Sequence, residues 1–368
     1  MGYYDITNMK RAIEEQKAHY AIFMGGRDIG KSFQVKKDVV TECYIRGTHF
    51  IYLRREDKDL NEDLLLRYFG DCNITEITEG EFTEIYVYRK TFYLARRNEL
   101  GQIEEKVPIG YAHALTLASH YKSTVWADVD RILFEEFVPD GKPYLANEPD
   151  KLQEYVSTIA RSREILVYIV GNTISKLSPY FHEWDLKGVH KMKKGQIDLY
   201  RQINTITDEE GVHEQEIRIL VEKCQAQGIF SKMAFGSSAE HITKNEYRTS
   251  AVPLVTVDYL ALYCDKCYTI YWTFQNLMFK SEFYRNNKGQ YFWYVKPAAS
   301  KITLEDLEGE RVITDKVDYN ILHTDFRAIS PKETRVLNYF SMGKIFYSNN
   351  ETGTDFRTVY RELARRRG

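Results

Sequence analysis

The chain has 368 residues, of which 43% are hydrophobic and 14% aromatic, enough to build packed cores in one large and one small domain, or in two of ordinary size. Its net charge of −2 excludes a protein that coats nucleic acid through overall basicity, so any such contact must use local patches. No apolar run approaches a membrane span, MGYYDITNMK lacks the apolar stretch of a signal peptide, and five cysteines without framework spacing fit a reducing cytoplasm.

The first element is a strand, Ala21–Met24, that runs into GGRDIGKS. Gly25, Gly30, Lys31 and Ser32 satisfy G-x-x-x-x-G-K-[ST], with Gly26, Arg27, Asp28 and Ile29 filling the loop. Such a loop turns backbone N–H groups inward to cradle phosphates. The Lys reaches the β/γ-phosphates, and the hydroxyl serves Mg²⁺. A helix is predicted to begin near Phe33. Tyr3, Tyr4 and Asp5 are close enough in sequence to contribute to a base pocket.

Further strands are predicted at Phe50–Leu53, Glu84–Tyr88, Thr91–Ala95, Ala112–Ala118, Ile132–Phe134 and Ile165–Val170, with helices at Leu60–Tyr68 and Lys151–Arg161. This alternation predicts a mostly parallel sheet flanked by helices, with the loop at the carboxyl ends of its strands. Residues 1–195 form this first domain. Residues 196–227 are polar, with Ile217, Leu220, Val221 and Cys224 at helical spacing, and are expected as a short helical linker. Residues 228–368 are expected to be strand-rich, with a hairpin turn at NNKG (286–289) and helices at Pro331–Phe340 and Asp355–Arg366. The CDKC at 264–267 has no second ligand pair at zinc spacing and reads as free thiols. Three basic runs, Arg54 with Arg55, KGVHKMKK at 187–194 and RELARRR at 361–367, are candidate phosphate contacts, although a solvated face is the plainer reading of each.

Two later motifs supply chemistry. In VDRILFEEF the buried strand ends in Glu135 and Glu136, where Glu135 would hold the metal and Glu136 would polarise the attacking water. Glu135 stands where Asp is usual and reaches one methylene further. ILVYIVGNT ends in Asn172, beside the expected γ-phosphate position. Arg161 and Arg163 precede that strand, at the expected rim of the nucleotide site. Either would serve as an arginine finger acting on a neighbouring subunit, or simply as a solvated charge.

Taken together and in this order, GGRDIGKS, FIYLRRE, ILFEEF and IVGNTISKLSPYF resemble the DNA-packaging (encapsidation) ATPases of small short-tailed bacteriophages with protein-primed genomes, relatives of terminase large subunits and FtsK/HerA translocases. The resemblance covers residues 20 to about 181. It implies an α/β protein with a P-loop ASCE-type ATPase domain and a smaller RNase H-like domain, here a vestigial nuclease. It implies ATP and Mg²⁺ as cofactors and a homomeric ring, expected to be pentameric. That ring would dock at the portal of a procapsid in the host cytoplasm, absent from the mature virion, and pump double-stranded DNA inward. A structural packaging RNA is a further candidate partner. By the same resemblance Lys31 and Ser32 serve phosphate and metal, Glu135 the metal, Glu136 the water, and Arg161 or Arg163 the finger. Lys106 is a second candidate for a trans contact, and Lys58 and Lys122 are candidates for gripping the DNA backbone.

The terminase nuclease needs several carboxylates around two metals. Asp258, expected at the end of the strand VTVD, is the one promising ligand, so the domain is expected to bind nucleic acid or the portal without cutting. The competing readings are a terminase with an active nuclease, a cellular FtsK/HerA-type translocase, a P-loop small-molecule kinase and a nucleotide-gated binding module.

Overall fold

A computed structural model of the chain describes residues 3–26, 29–138, 144–172, 178–208, 211–226, 252–274, 277–299, 302–314, 328 and 330–365. Arg27, Asp28, residues 227–251 and residues 366–368, which include the end of the basic tail, lie outside these. The chain divides into two units, 1–174 with 178–247, and 175–177 with 248–368.

The first unit opens with α1 (Thr7–Gln16), β1 (Tyr20–Gly25), α2 (Lys31–Arg46) and β2 (His49–Arg54). It continues through α3 (Glu62–Phe69), α4 (Ile74–Ile77), β3 (Glu84–Tyr88), β4 (Thr91–Arg97), β5 (Ile103–Ala114) and β6 (Val129–Glu135). α5 (Glu148–Ala160), β7 (Leu166–Asn172), α6 (Pro179–Glu183), β8 (Ile197–Asp208) and β9 (Gly211–Lys223) complete it. The strands make one nine-stranded sheet in the order β3-β4-β5-β2-β6-β7-β1-β9-β8. From β5 to β9 every neighbour is parallel, while β3, β4 and β8 join antiparallel at the two edges. β7 stands between the loop-bearing β1 and the acid-bearing β6.

The central strands are apolar on both faces because helices cover both. On one face Phe23, Phe50, Tyr52 and Leu133 pack with Val35, Val39 and Cys43 of α2 and Phe69 of α3. On the other Ile22, Ile51, Ile132, Phe134 and Ile169 pack with Leu152, Tyr155 and Ile159 of α5 and Tyr180 of α6.

Two sequence expectations fail here. Residues 196–227 are not a helical linker; they supply β8 and β9 of this same sheet. Ile219 and Val221 point to the α5 face, Leu220 and Cys224 to the α2 face, so the apolar cluster is a strand buried on both sides. The expected strand Ala112–Ala118 ends at Ala114, where the chain turns into a 3₁₀ segment, Leu115–Tyr121.

In the second unit α7 (Val257–Tyr263) precedes β10 (Cys264–Phe274), β11 (Leu277–Asn286), β12 (Tyr291–Pro297), β13 (Val312–Thr314), α8 (Pro331–Ser341), β14 (Ile345–Tyr347) and α9 (Asn350–Arg365). The five strands run in the order β13-β10-β11-β12-β14, with an antiparallel centre and a parallel strand at each edge. Trp272, Trp293, Phe340 and Phe356 form its core. The turn at 286–289 joins β11 to β12 as its Asn and Gly predict, with Gly289 at φ 76°. Asp258 does not end a strand. Thr256 caps α7 by accepting a hydrogen bond from the Tyr259 N–H, which places Asp258 in the first helical turn.

Candidate active site

The carboxyl ends of β1, β2, β6 and β7 meet at one edge of the nine-stranded sheet. Gly25 closes β1 where a Cβ would come within 2.7 Å of Ile29 Cδ1 and 3.2 Å of Cys224 Cβ. Gly30 begins α2 at φ 87°, a conformation that L side chains disfavour. Gly30 provides no side-chain cap, and α2 presents the positive end of its dipole at this edge. Lys31 is buried; its Nζ donates to Asn172 Oδ1 at 2.6 Å and to the Gly26 carbonyl at 3.1 Å. Register explains the first contact, because Gly25 pairs with Asn172 across β1 and β7.

At the end of β6 the two acids part company. Glu135 is buried and its Oε1 accepts from the Tyr68 hydroxyl at 2.6 Å. Burial, then the neighbouring Glu135 charge, pushes the Tyr68 hydroxyl well above its ordinary pKa, so it stays a donor. Glu136 turns outward at φ 59°, and Arg54 Nη2 donates to its Oε2 at 2.6 Å. A non-glycine residue in that region is strained by roughly 1–3 kcal/mol, a cost that recurs at functional positions.

Arg54 and Arg55 are therefore not a nucleic-acid patch. Arg55 makes a two-pronged contact with Glu148, at 2.7 and 2.8 Å, and donates to the carbonyls of Glu136 (3.1 Å) and Phe137 (3.0 Å). Glu148 is fully buried and also accepts from Tyr180 and from the Leu145 N–H. The chain just past the acids is pinned by this network. Arg54, Tyr68 and Glu148 were missed as site residues in the sequence. Only the position of Arg54 at a strand end hinted at its role.

Of the amino-terminal residues, Tyr4 is unavailable to a base: it is buried, and its hydroxyl donates to Glu222 at 2.5 Å. Asp5 accepts from Thr7. Tyr3 is exposed, and its ring would be 3.1 Å from a Cβ on Gly30. Burial raises the Glu222 pKa from 4.5 to about 7. Between these values the folded chain holds a proton that the unfolded chain has lost, so this group lowers stability as pH rises from about 4.5 to about 7. Glu222→Gln is expected to remove that slope and to stabilise the protein above pH 7 by roughly 2 kcal/mol, read from urea denaturation across pH.

The predicted finger residues are not at the sheet edge that carries Gly25, Lys31 and Glu135. Both precede β7, whose seven residues place them roughly 20 Å from Asn172. Arg163 is a structural clamp, donating to the carbonyls of Trp126 (2.7 Å), Ala127 (3.1 Å), Val129 (2.6 Å) and Ile159 (2.9 Å). Arg161 is exposed, and among the described residues its side chain reaches only the Thr124 carbonyl, at 3.4 Å. Lys122, two residues before Thr124, is also exposed, 3.9 Å from Glu154. Lys58 sits exposed in the 3₁₀ turn after β2, on the nucleotide edge. Lys106 lies on β5, packed over tyrosine rings. Ser32 occupies the first turn of α2.

A family model, that of the podovirus DNA encapsidation protein (Gp16), matches residues 4–236, more than half of the chain. The chain belongs to this family. Over 161 residues it is 30% identical to the DNA packaging protein of Bacillus phage phi29 and 32% identical to that of Bacillus phage B103. These stretches cover 43% of this chain and only 44% and 45% of those relatives. The fold is shared with a chain of the bacteriophage phi29 viral genome packaging motor assembly, at a TM-score of 0.53 and 18% identity, covering 99% of this chain and 98% of that one. Among the described residues no helix of this encapsidation-family chain is long and apolar enough to cross a membrane.

Proposed function

We propose that this chain is an ATP-hydrolysing motor that drives double-stranded DNA into a preformed procapsid. The observation that carries the reading is the convergence of an uncapped helix start, buried Lys31, buried Glu135 and strained Glu136 at one sheet edge, in a chain of the encapsidation family. Lys31 binds the β/γ-phosphates, exchanging Asn172 for phosphate oxygen, and the released Asn172 amide is then free to report the γ-phosphate. Ser32 and Glu135 suit a hard cation: a hydroxyl at the helix start and a carboxylate oriented by Tyr68. Mg²⁺ held there supplies charge neutralisation on the phosphates. Glu136 orients and polarises the attacking water. Arg54 is its positioning residue: paired with Arg54, Glu136 is turned outward, and exchange of that partner frees it for water.

Arg161 lies at the end of the sheet opposite its own loop, as a residue completing a neighbour's site must, which supports action in trans within a homomeric ring. Ring assembly, expected to be pentameric, docking on the portal in the host cytoplasm and use of a packaging RNA belong to the same reading. Lys58 and Lys122 remain candidates for sequence-independent phosphate contacts. For the second unit we infer binding without cutting: its strand-borne Glu282 is held by Lys296 at 3.0 Å and Lys280 at 3.4 Å, and its Glu333 by Arg311 at 2.6 Å.

The test is the ATPase rate of the assembled protein with and without double-stranded DNA. Stimulation by DNA is expected. Turnover that ignores DNA but requires a small phosphate acceptor would make the protein a kinase, and metal-dependent cleavage of the DNA would make it an active terminase.

A further inference from the structure

A second surface lies on the antiparallel strands at the far end of the sheet, its β3–β4 turn tied to the 3₁₀ turn after β2 by the Lys90–Asp57 ion pair. Tyr86 of β3 pairs across the ladder with Tyr93 of β4, their ring centroids 6.2 Å apart, while Tyr88 is 43% exposed. Lys106 of β5 projects among them, its ammonium 4.8 Å from the ring centre of Tyr93, 5.4 Å from Tyr86 and 5.8 Å from Tyr88. Arg89 lies over Tyr88 at 5.2 Å. Among the described residues, neither Lys106 nor Arg89 has a carboxylate within ion-pairing distance. The acids nearby are already engaged: Glu84 with Arg97, Glu104 and Glu105 with Arg96, Asp57 with Lys90, and Glu62 with the Arg89 backbone N–H at 2.6 Å.

The backbone points the same way. Arg89 and Lys90 are the two central residues of the β3–β4 turn, at φ 48° and 61°. A two-residue turn with both angles positive is normally Asn-Gly, since longer side chains disfavour it. Here that conformation carries two cations: Lys90 pairs with Asp57 and the Arg89 N–H with Glu62, while the Arg89 guanidinium is set against an exposed ring.

We propose that this tyrosine face binds single-stranded nucleic acid, its rings stacking on unpaired bases and Lys106 and Arg89 meeting the phosphates. Flat rings on neighbouring strands need partners with free π-faces. In a duplex those faces are hidden in the stack and only base edges and backbone are presented. Interleaved unpaired cations match a polyanion. An exposed cation–ring contact contributes a few-fold at most, so Lys106 can leave the rings for a phosphate when a base stacks.

The experiment uses the full chain and fluorescence anisotropy with three probes: labelled oligo-dT and oligo-U of about 15 nucleotides, and a duplex of the same length. Tyr88→Ala with Tyr93→Leu is expected to weaken single-strand binding about tenfold or more while leaving the duplex unaffected, and Tyr88→Phe to retain it. Lys106→Gln should reduce the salt slope by about 0.7. The turn variant Arg89→Asn with Lys90→Gly should raise the melting temperature yet weaken single-strand binding, a combination that a merely structural role cannot produce. Binding of either single strand supports the proposal, and the tighter one identifies the sugar. Absence of single-strand binding, equal losses for duplex and single strand, or unchanged affinity with altered sedimentation of the assembly, which would make the face a contact between copies, would overturn it. None of these outcomes bears on the ATPase assignment, which rests on other residues.

Discussion

Lys31→Ala is expected to abolish ATP hydrolysis, with a loss of at least about 10²–10³ in turnover, because it deletes a preorganised positive charge where phosphate charge develops. Lys31 is buried and already held at the end of β7 by Asn172, so no neighbouring cation on the described part of the loop replaces it. Glu136→Gln is the sharper companion. It keeps the side chain's shape and an acceptor for Arg54, but the amide polarises water poorly, and turnover should fall by roughly 10²–10⁴ while nucleotide affinity stays within a few-fold. Phosphate release and binding of a fluorescent nucleotide measure the two separately. Wild-type turnover in Glu136→Gln would move the water-handling role elsewhere.

The second large effect is expected from Arg161→Ala, with turnover of the assembled ring falling about 10³–10⁵-fold if its guanidinium completes a neighbour's transition state. Arg163→Ala should behave differently. It removes donors from four backbone carbonyls, so its main expected consequence is a lower melting temperature. Mixing an Arg161→Ala subunit with a Lys31→Ala subunit discriminates further, since each is inactive alone but one can lend its arginine to the other's intact loop. Recovered turnover in demonstrated mixed rings supports action in trans; no recovery would reduce Arg161 to a solvated charge on the edge that holds Thr124.

Where chemistry sits in contiguous residues, it was legible. The strand, glycines, Lys31 and Ser32 fall within one short stretch, and their placement follows from backbone geometry that the residues themselves impose. The same holds for ILFEEF and for Asn172, because a short apolar run ending in polar residues is a buried strand reaching a sheet edge. The turn at 286–289 was equally local.

The misses share a cause: partners distant in sequence. Residues 217–224 offer apolar positions compatible with either period. What makes β9 a strand is the free edge of β1, whose backbone groups between Tyr20 and Met24 need partners and find them at Ile219–Lys223. Asp258 went to a helix through Thr256, a cap that the β-branched run around it obscured.

The amino-acid order by itself determined the parallel sheet, the glycine loop that opens α2, and the two acids and the amide that end its strands. Tertiary structure alone decided what the arginines do. Arg54 and Arg55 are neighbours in a basic pair, and solvent or phosphate is the natural destination of such a pair. Folding instead brings Glu136 and Glu148, 82 and 93 residues away, to their guanidiniums. Arg163 is likewise spent on carbonyls of the loop before β6, which leaves Arg161 as the one of the two that stays exposed. A charged side chain takes its role from whichever opposite charge or unpaired carbonyl the fold delivers within about 3 Å, and no local pattern records that distance.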